Sequence, residues 1–161
     1  MKKFLMIVLI FAGFTITNAQ GTDWIKIGVH GGLPLGDASE TSSSVLGVDL
    51  KYQFLNTNSY AVGIATGYTN YFGKDNSEDF GMIPIAGLFR YYPTKNFFVG
   101  TDLGYGFFTT SDESGFYYRP EIGYHDDKWN VYAFYQGISI SNSFSPTSVG
   151  IGISYNIVRG K

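Results

Sequence analysis

The 161-residue chain has no cysteine, which excludes a disulfide staple, a thiol nucleophile and a cysteine-held metal. It also excludes a lipidated cysteine after the N-terminal apolar run. Charge is scarce. Asp, Glu, Lys and Arg make up 15% of the residues, against about 25% in ordinary soluble domains. The net charge is −2 and the eleven Lys and Arg are scattered, so no basic field for nucleic acid exists. No apolar run approaches the ~20 residues that a spanning helix needs. Past residue 20 no helical stripe at i, i+3, i+4, i+7 survives either. What remains is a chain rich in glycine (21 residues), tyrosine (13) and phenylalanine (14), unlike a typical soluble enzyme.

The first nineteen residues read as an export signal. Lys2 and Lys3 precede the apolar Phe4–Ile16, and Thr17-Asn18-Ala19 suits a signal peptidase. The expected mature chain begins at Gln20 and forms one domain, residues 20–161.

From Trp24 to Val158 the dominant pattern is alternation with period two. Leu46, Val48, Leu50, Tyr52 and Phe54 interleave with Val45, Gly47, Asp49, Lys51 and Gln53. Val99, Thr101, Leu103, Tyr105 and Phe107 interleave with Gly100, Asp102, Gly104 and Gly106. The same beat recurs in Phe116–His125 and in Ser148–Ile157. Four further segments, near residues 25–30, 61–68, 83–91 and 129–136, follow it less cleanly, with Leu88 on the wrong face. Connections of three or four residues (Asn56–Ser59, Pro93–Asn96, Asp126–Lys128) alternate with longer polar ones (Asp37–Ser44, Gly73–Asp79, Thr109–Gly115, Ser139–Pro146). That asymmetry belongs to an up-and-down barrel with short turns at one end and loops at the other. The expected fold is all-β, an eight-stranded antiparallel up-and-down transmembrane β-barrel.

The same alternation also fits a soluble lipocalin-like barrel carrying an apolar ligand inside. The non-apolar face separates the two. It holds ten glycines (28, 47, 63, 67, 100, 104, 106, 123, 150 and 152) and about one charge per strand, where a water-facing surface would be dense in Lys and Glu. A narrow eight-stranded interior needs small residues beside a few large polar ones. The apolar face carries no Asp, Glu, Lys or Arg, so lipid is expected outside. Aromatics cluster at strand ends as two girdles: Tyr52, Phe54, Tyr60, Tyr91, Tyr92, Phe97, Tyr124, Trp129 and Tyr155 at one end, Tyr71, Phe72, Phe80, Phe107 and Phe116 at the other.

In these respects, residues 20–161 resemble the small eight-stranded outer-membrane β-barrel family of Gram-negative bacteria, the OmpA- and OmpX-like barrels. The likeness is carried by Ile83-Pro84-Ile85-Ala86-Gly87-Leu88-Phe89-Arg90-Tyr91-Tyr92-Pro93 and Val99-Gly100-Thr101-Asp102-Leu103-Gly104-Tyr105-Gly106, which look like that family's fourth and fifth strands. It implies an outer-membrane location, with lipid, lipopolysaccharide and, during biogenesis, the barrel-assembly machinery as partners. Gly152, Tyr155 and Ile157 resemble the assembly signal of the last strand. Members usually end on an aromatic, whereas here Ile157 is followed by Val158-Arg159-Gly160-Lys161.

The inward phase collects Lys26, Lys51, Arg90 and Arg119 with Asp49, Asp102 and Glu121. Four cations against three anions nearly cancel, as a water-poor interior requires. The expected role is a structural ion-pair plug with Asp102 level with Arg119 and Glu121; a gated proton or ion path is the sharper alternative. The expected function is structural or surface-interacting, without a general pore, and any specific activity is expected at the long loops. Asp49→Leu is expected to be far milder than Leu50→Asp. An enzyme is not expected. His30, towards the outer end of the first strand, and His125, at a short turn, are what chance supplies among many serines. No cofactor is expected, and Asp75, Glu78 and Asp79, or Asp112 and Glu113, read as solvated loop acids rather than a divalent-ion site.

Overall fold

A computed structural model describes residues 24–74, 77–140 and 144–158. The expected export signal and the final three residues lie outside them. Eight strands follow in chain order: β1 (Trp24–Leu35), β2 (Ser42–Asn56), β3 (Tyr60–Gly73), β4 (Phe80–Thr94), β5 (Phe97–Phe108), β6 (Ser114–His125), β7 (Trp129–Ser139) and β8 (Thr147–Val158). Each pairs antiparallel with its chain neighbours, and β1 also pairs with β8 from Ile25↔Val158 to Leu35↔Thr147. The sheet therefore closes on itself and leaves no edge strand exposed.

Closure turns period two into inside and outside. Ile27, Val29, Leu46, Leu50, Ile85 and Ile151 are 47–71% exposed on the outer wall, whereas Lys26, Asp49, Lys51, Arg90, Arg119 and Glu121 are at most 5% exposed inside. No Asp, Glu, Lys or Arg occupies the outward phase of any strand. A soluble carrier of an apolar ligand requires the reverse polarity. Leu88 does face inward, at 2% exposure.

Glycine is needed where the filling is tightest. A Cβ at Gly47 would strike the His30 ring and one at Gly152 the Tyr132 ring. Three girdle aromatics change sides: Tyr71, Phe80 and Tyr92 lie on the inward phase. Tyr71 and Tyr92 are 0% and 8% exposed, because Phe72 and Tyr91, one residue away, take the outward phase. The first long connection also holds one helical turn, α1 (Asp37–Thr41), entered through Gly36 at φ 57°. That left-handed conformation suits glycine. Five residues are too few to leave a periodic signal in the sequence.

Candidate functional site: the lumen and its two ends

The interior is layered. Towards the long loops, Met82, Ala86, Tyr117 and Ile138 pack with Phe108 and Ile140. Above them Ala38 of α1 packs with Val45, Tyr71 and Phe80. Phe80 stacks on Tyr71 at 4.6 Å between ring centroids and meets Phe108 and Phe144 edge-on at 5.9 and 5.7 Å. This layer is apolar.

The middle layer is charged. Lys51 on β2 donates to Asp102 on β5 at 2.7 Å and also to Glu121 on β6. Arg90 on β4 donates to the other oxygen of Glu121 at 3.0 Å. Arg119 on β6 holds both oxygens of Asp49 on β2, at 2.8 and 3.3 Å, and its Nε lies 3.2 Å from Glu121. Bidentate, charge-assisted contacts of this kind are the strong ones. The guanidinium of Arg119 lies over Phe134 (4.4 Å) and that of Arg90 over Phe98 (4.2 Å), which suits a planar, weakly hydrated cation.

The seven charges singled out in the sequence thus lie in one interior, with different partners. Asp102 stands opposite Arg119 in the β5–β6 register but pairs across the lumen with Lys51. Lys26 stands at the edge of the network, donating to Asn130 Oδ1 at 3.1 Å. Sequence reasoning left out the neutral members. Tyr132 donates to Asp49 at 2.8 Å, and Asn130 accepts from both Lys26 and Arg90. Both occupy the inward phase of β7. The usable signal was the donor and acceptor capacity of every inward residue, not charge alone.

His30 lies mid-strand inside the barrel, not at the outer end. Its Nδ1 is 2.9 Å from Asp49 and its Nε2 3.1 Å from the Thr69 hydroxyl. A carboxylate only accepts, so Nδ1 carries the proton and, in the neutral ring, Nε2 accepts from Thr69. The line Thr69–His30–Asp49 has the order of a nucleophile–base–orienter relay. Thr69 is 2% exposed and Asp49 is already held by Arg119 and Tyr132. The three groups are thus buried and hydrogen-bonded to one another within the lumen.

Among the described residues no three His, Cys, Asp or Glu cluster as metal ligands. Asp79 instead braces its loop, accepting from Gly73 N–H at 2.8 Å; Asp75 lies outside the described residues. On β8 the side chains of Tyr155 and Ile157 face outward while Gly152 lies inside beneath Tyr132.

A closed wall of eight antiparallel strands is shared with solved membrane barrels. Ail, the attachment invasion locus protein of Yersinia pestis, solved with the heparin analogue sucrose octasulfate, matches with TM-score 0.57 and 16% identity, over 86% of this chain and 99% of that one. The N-terminal β-barrel domain of Pseudomonas aeruginosa OprF gives 0.56 and 16%, over 86% and 100%. A de novo designed transmembrane β-barrel gives 0.53 and 15%, over 88% and 100%. The chain has the fold of a small eight-stranded outer-membrane barrel. No family model matches the sequence, and no curated protein does. The likeness to these barrels is therefore one of backbone architecture, and the lumen contacts above are this chain's own.

Proposed function

We propose that the protein is an integral outer-membrane barrel with a structural or surface-interaction role, exported through a cleaved signal and closed to general diffusion. One observation carries this reading. The entire outward phase is apolar or uncharged while the charges lie inside, an arrangement that water would penalise and a bilayer requires. The lumen is a plug of ion pairs, and nothing in its geometry calls for catalysis. Assembly into the membrane uses β8, with Gly152, Tyr155 and Ile157 read by the barrel-assembly machinery, and lipid and lipopolysaccharide surround the wall.

The long loops are the surface that a partner would meet. Their described residues carry Asp37, Glu40, Glu78, Asp79, Asp112 and Glu113 against Lys74. That field favours a cationic partner and opposes a sulfated sugar of the kind bound by Ail.

Expression in a Gram-negative host, followed by fractionation, tests the reading. The protein should sediment with the outer membrane, need detergent for extraction and run faster on gels unheated than boiled. In planar bilayers neither it nor Asp102→Asn should show single-channel steps. Recovery in the soluble fraction would overturn the location, and steps would overturn the plug.

A further inference from the structure

The short-turn end holds a cavity of about 900 Å³, walled by Trp24, Tyr92 and His125 and rimmed by Asn56, Asn58 and Asn96. Its volume falls within the range of small-molecule sites, roughly 300–1,000 Å³. Lys26 lines its floor and is 1% exposed. Lys51, Arg90 and Arg119 share the carboxylates of Asp49, Asp102 and Glu121. Among the described residues no carboxylate pairs with Lys26. Its Nζ has Asn130 Oδ1 at 3.1 Å, an acceptor it shares with Arg90, and the Trp24 ring at 5.2 Å. A buried ammonium without a counter-ion is costly. Gln53, opposite Trp24 in the β1–β2 register, is fully buried with neither amide atom hydrogen-bonded. Gln53 and His125 Nε2 thus add unused polar capacity at this end of the lumen.

We propose that this vestibule binds a small organic acid, its carboxylate on Lys26 and its hydroxyl or amide groups on the asparagine rim. The charge arithmetic favours a monoanion. Among the described lining residues Lys95 and Lys128 equal Asp126 and Asp127 in number, which leaves the single positive charge of Lys26. A phosphate dianion would overcompensate it and sit below two carboxylates. Trp24 and Tyr92 offer flat apolar surfaces to the frame that carries the acid. This assignment does not depend on which membrane holds the barrel.

The chain has two tryptophans, and Trp129 sits on the outer wall against Tyr155. In Trp129→Phe, refolded in detergent and checked by heat-dependent gel migration, emission reports on Trp24. Galacturonate should change that emission saturably at millimolar concentration, and neutral galactose should not. Lys26→Met should weaken the response at least tenfold, as should Lys26→Gln, which keeps a donor for Asn130. No saturable response in the folded protein, an equal response to galactose, or a response surviving both Lys26 variants overturns the site. Inorganic phosphate binding as tightly as galacturonate overturns the organic-acid assignment. The galacturonate–galactose contrast needs neither Lys26 variant.

Discussion

The two ends of the barrel are built on opposite principles. The long-loop end is closed by rings, with Tyr71, Phe80, Phe108 and Phe144 packed over Met82, Tyr117 and Ile138. The short-turn end is polar, with asparagines, lysines and His125 around a cavity of about 900 Å³. Between them lies the ion-pair layer. Long loops have enough chain to fold back and cover a mouth, as α1 does when it brings Ala38 onto Tyr71 and Val45. Turns of two or three residues, such as 57–59, 95–96 and 126–128, cannot reach across, so that mouth stays lined by strand ends. Length of connection, more than residue type, decides which end is sealed.

The largest effect should come from removing the layer that separates the ends. Asp49 accepts from Arg119 twice, from His30 and from Tyr132. Asp49→Leu would leave Arg119 with Glu121 as its only carboxylate among the described residues and take the acceptor from His30 and Tyr132, and it is expected to cost about 3–5 kcal/mol. Leu50→Lys, one residue away on the lipid face, should cost roughly 2–4 kcal/mol. Chemical unfolding in detergent or lipid vesicles gives both values. The faces alone lead to the opposite ranking, with Asp49→Leu far milder than Leu50→Asp, and a Leu50 cost clearly exceeding that of Asp49→Leu would favour that ranking over the one drawn from the lumen contacts.

Next comes the sealed end. Phe80 is half-buried, so Phe80→Ala should cost about 2 kcal/mol, near half the value for a fully buried ring. Amide exchange should rise at Tyr71 and Phe108 while the short-turn end is unchanged. Exchange rising equally at both ends would show that the layers are not separate units.

The smallest effect lies in the last short turn. Asp126 accepts the amides of Trp129 and Lys128, both at 2.7 Å, and these bonds hold its carboxyl below the usual carboxylate range. A depressed value means that the turn's support is complete above the unfolded pKa, about 3.9. It is lost as pH falls through the lower folded value. Protection of those two amides should therefore persist at pH 5, decline under stronger acid, and be absent at pH 5 in Asp126→Ala. Protection unaffected by the substitution would show that the strands alone hold the turn.

Fold and orientation were legible in the sequence because alternation is a local property. Even in β7, where both phases are bulky, Trp129, Val131 and Tyr135 face out and Tyr132, Phe134 and Gln136 face in. Aromatic placement was less legible. A count of rings near strand ends cannot tell Tyr91 from Tyr92, and only parity assigns one to lipid and the other to the lumen. Interior membership for all seven charges followed from the same rule, but partners did not. Lys51 meets Asp102 fifty-one residues away across the lumen, not along a hairpin. Function was expected at the long loops, whereas the cavity lies at the other end.

The sequence by itself determined which side of the wall each strand residue faces, since a side chain's face depends only on its place in a period of two. Tertiary structure alone decided who meets whom. Closure of β1 on β8 fixes the register around the ring, and that register sets Asn130 between Lys26 and Arg90 and, among the described residues, leaves Lys26 without a carboxylate. Those contacts join residues from separate strands through the lumen, where distance along the chain carries no information.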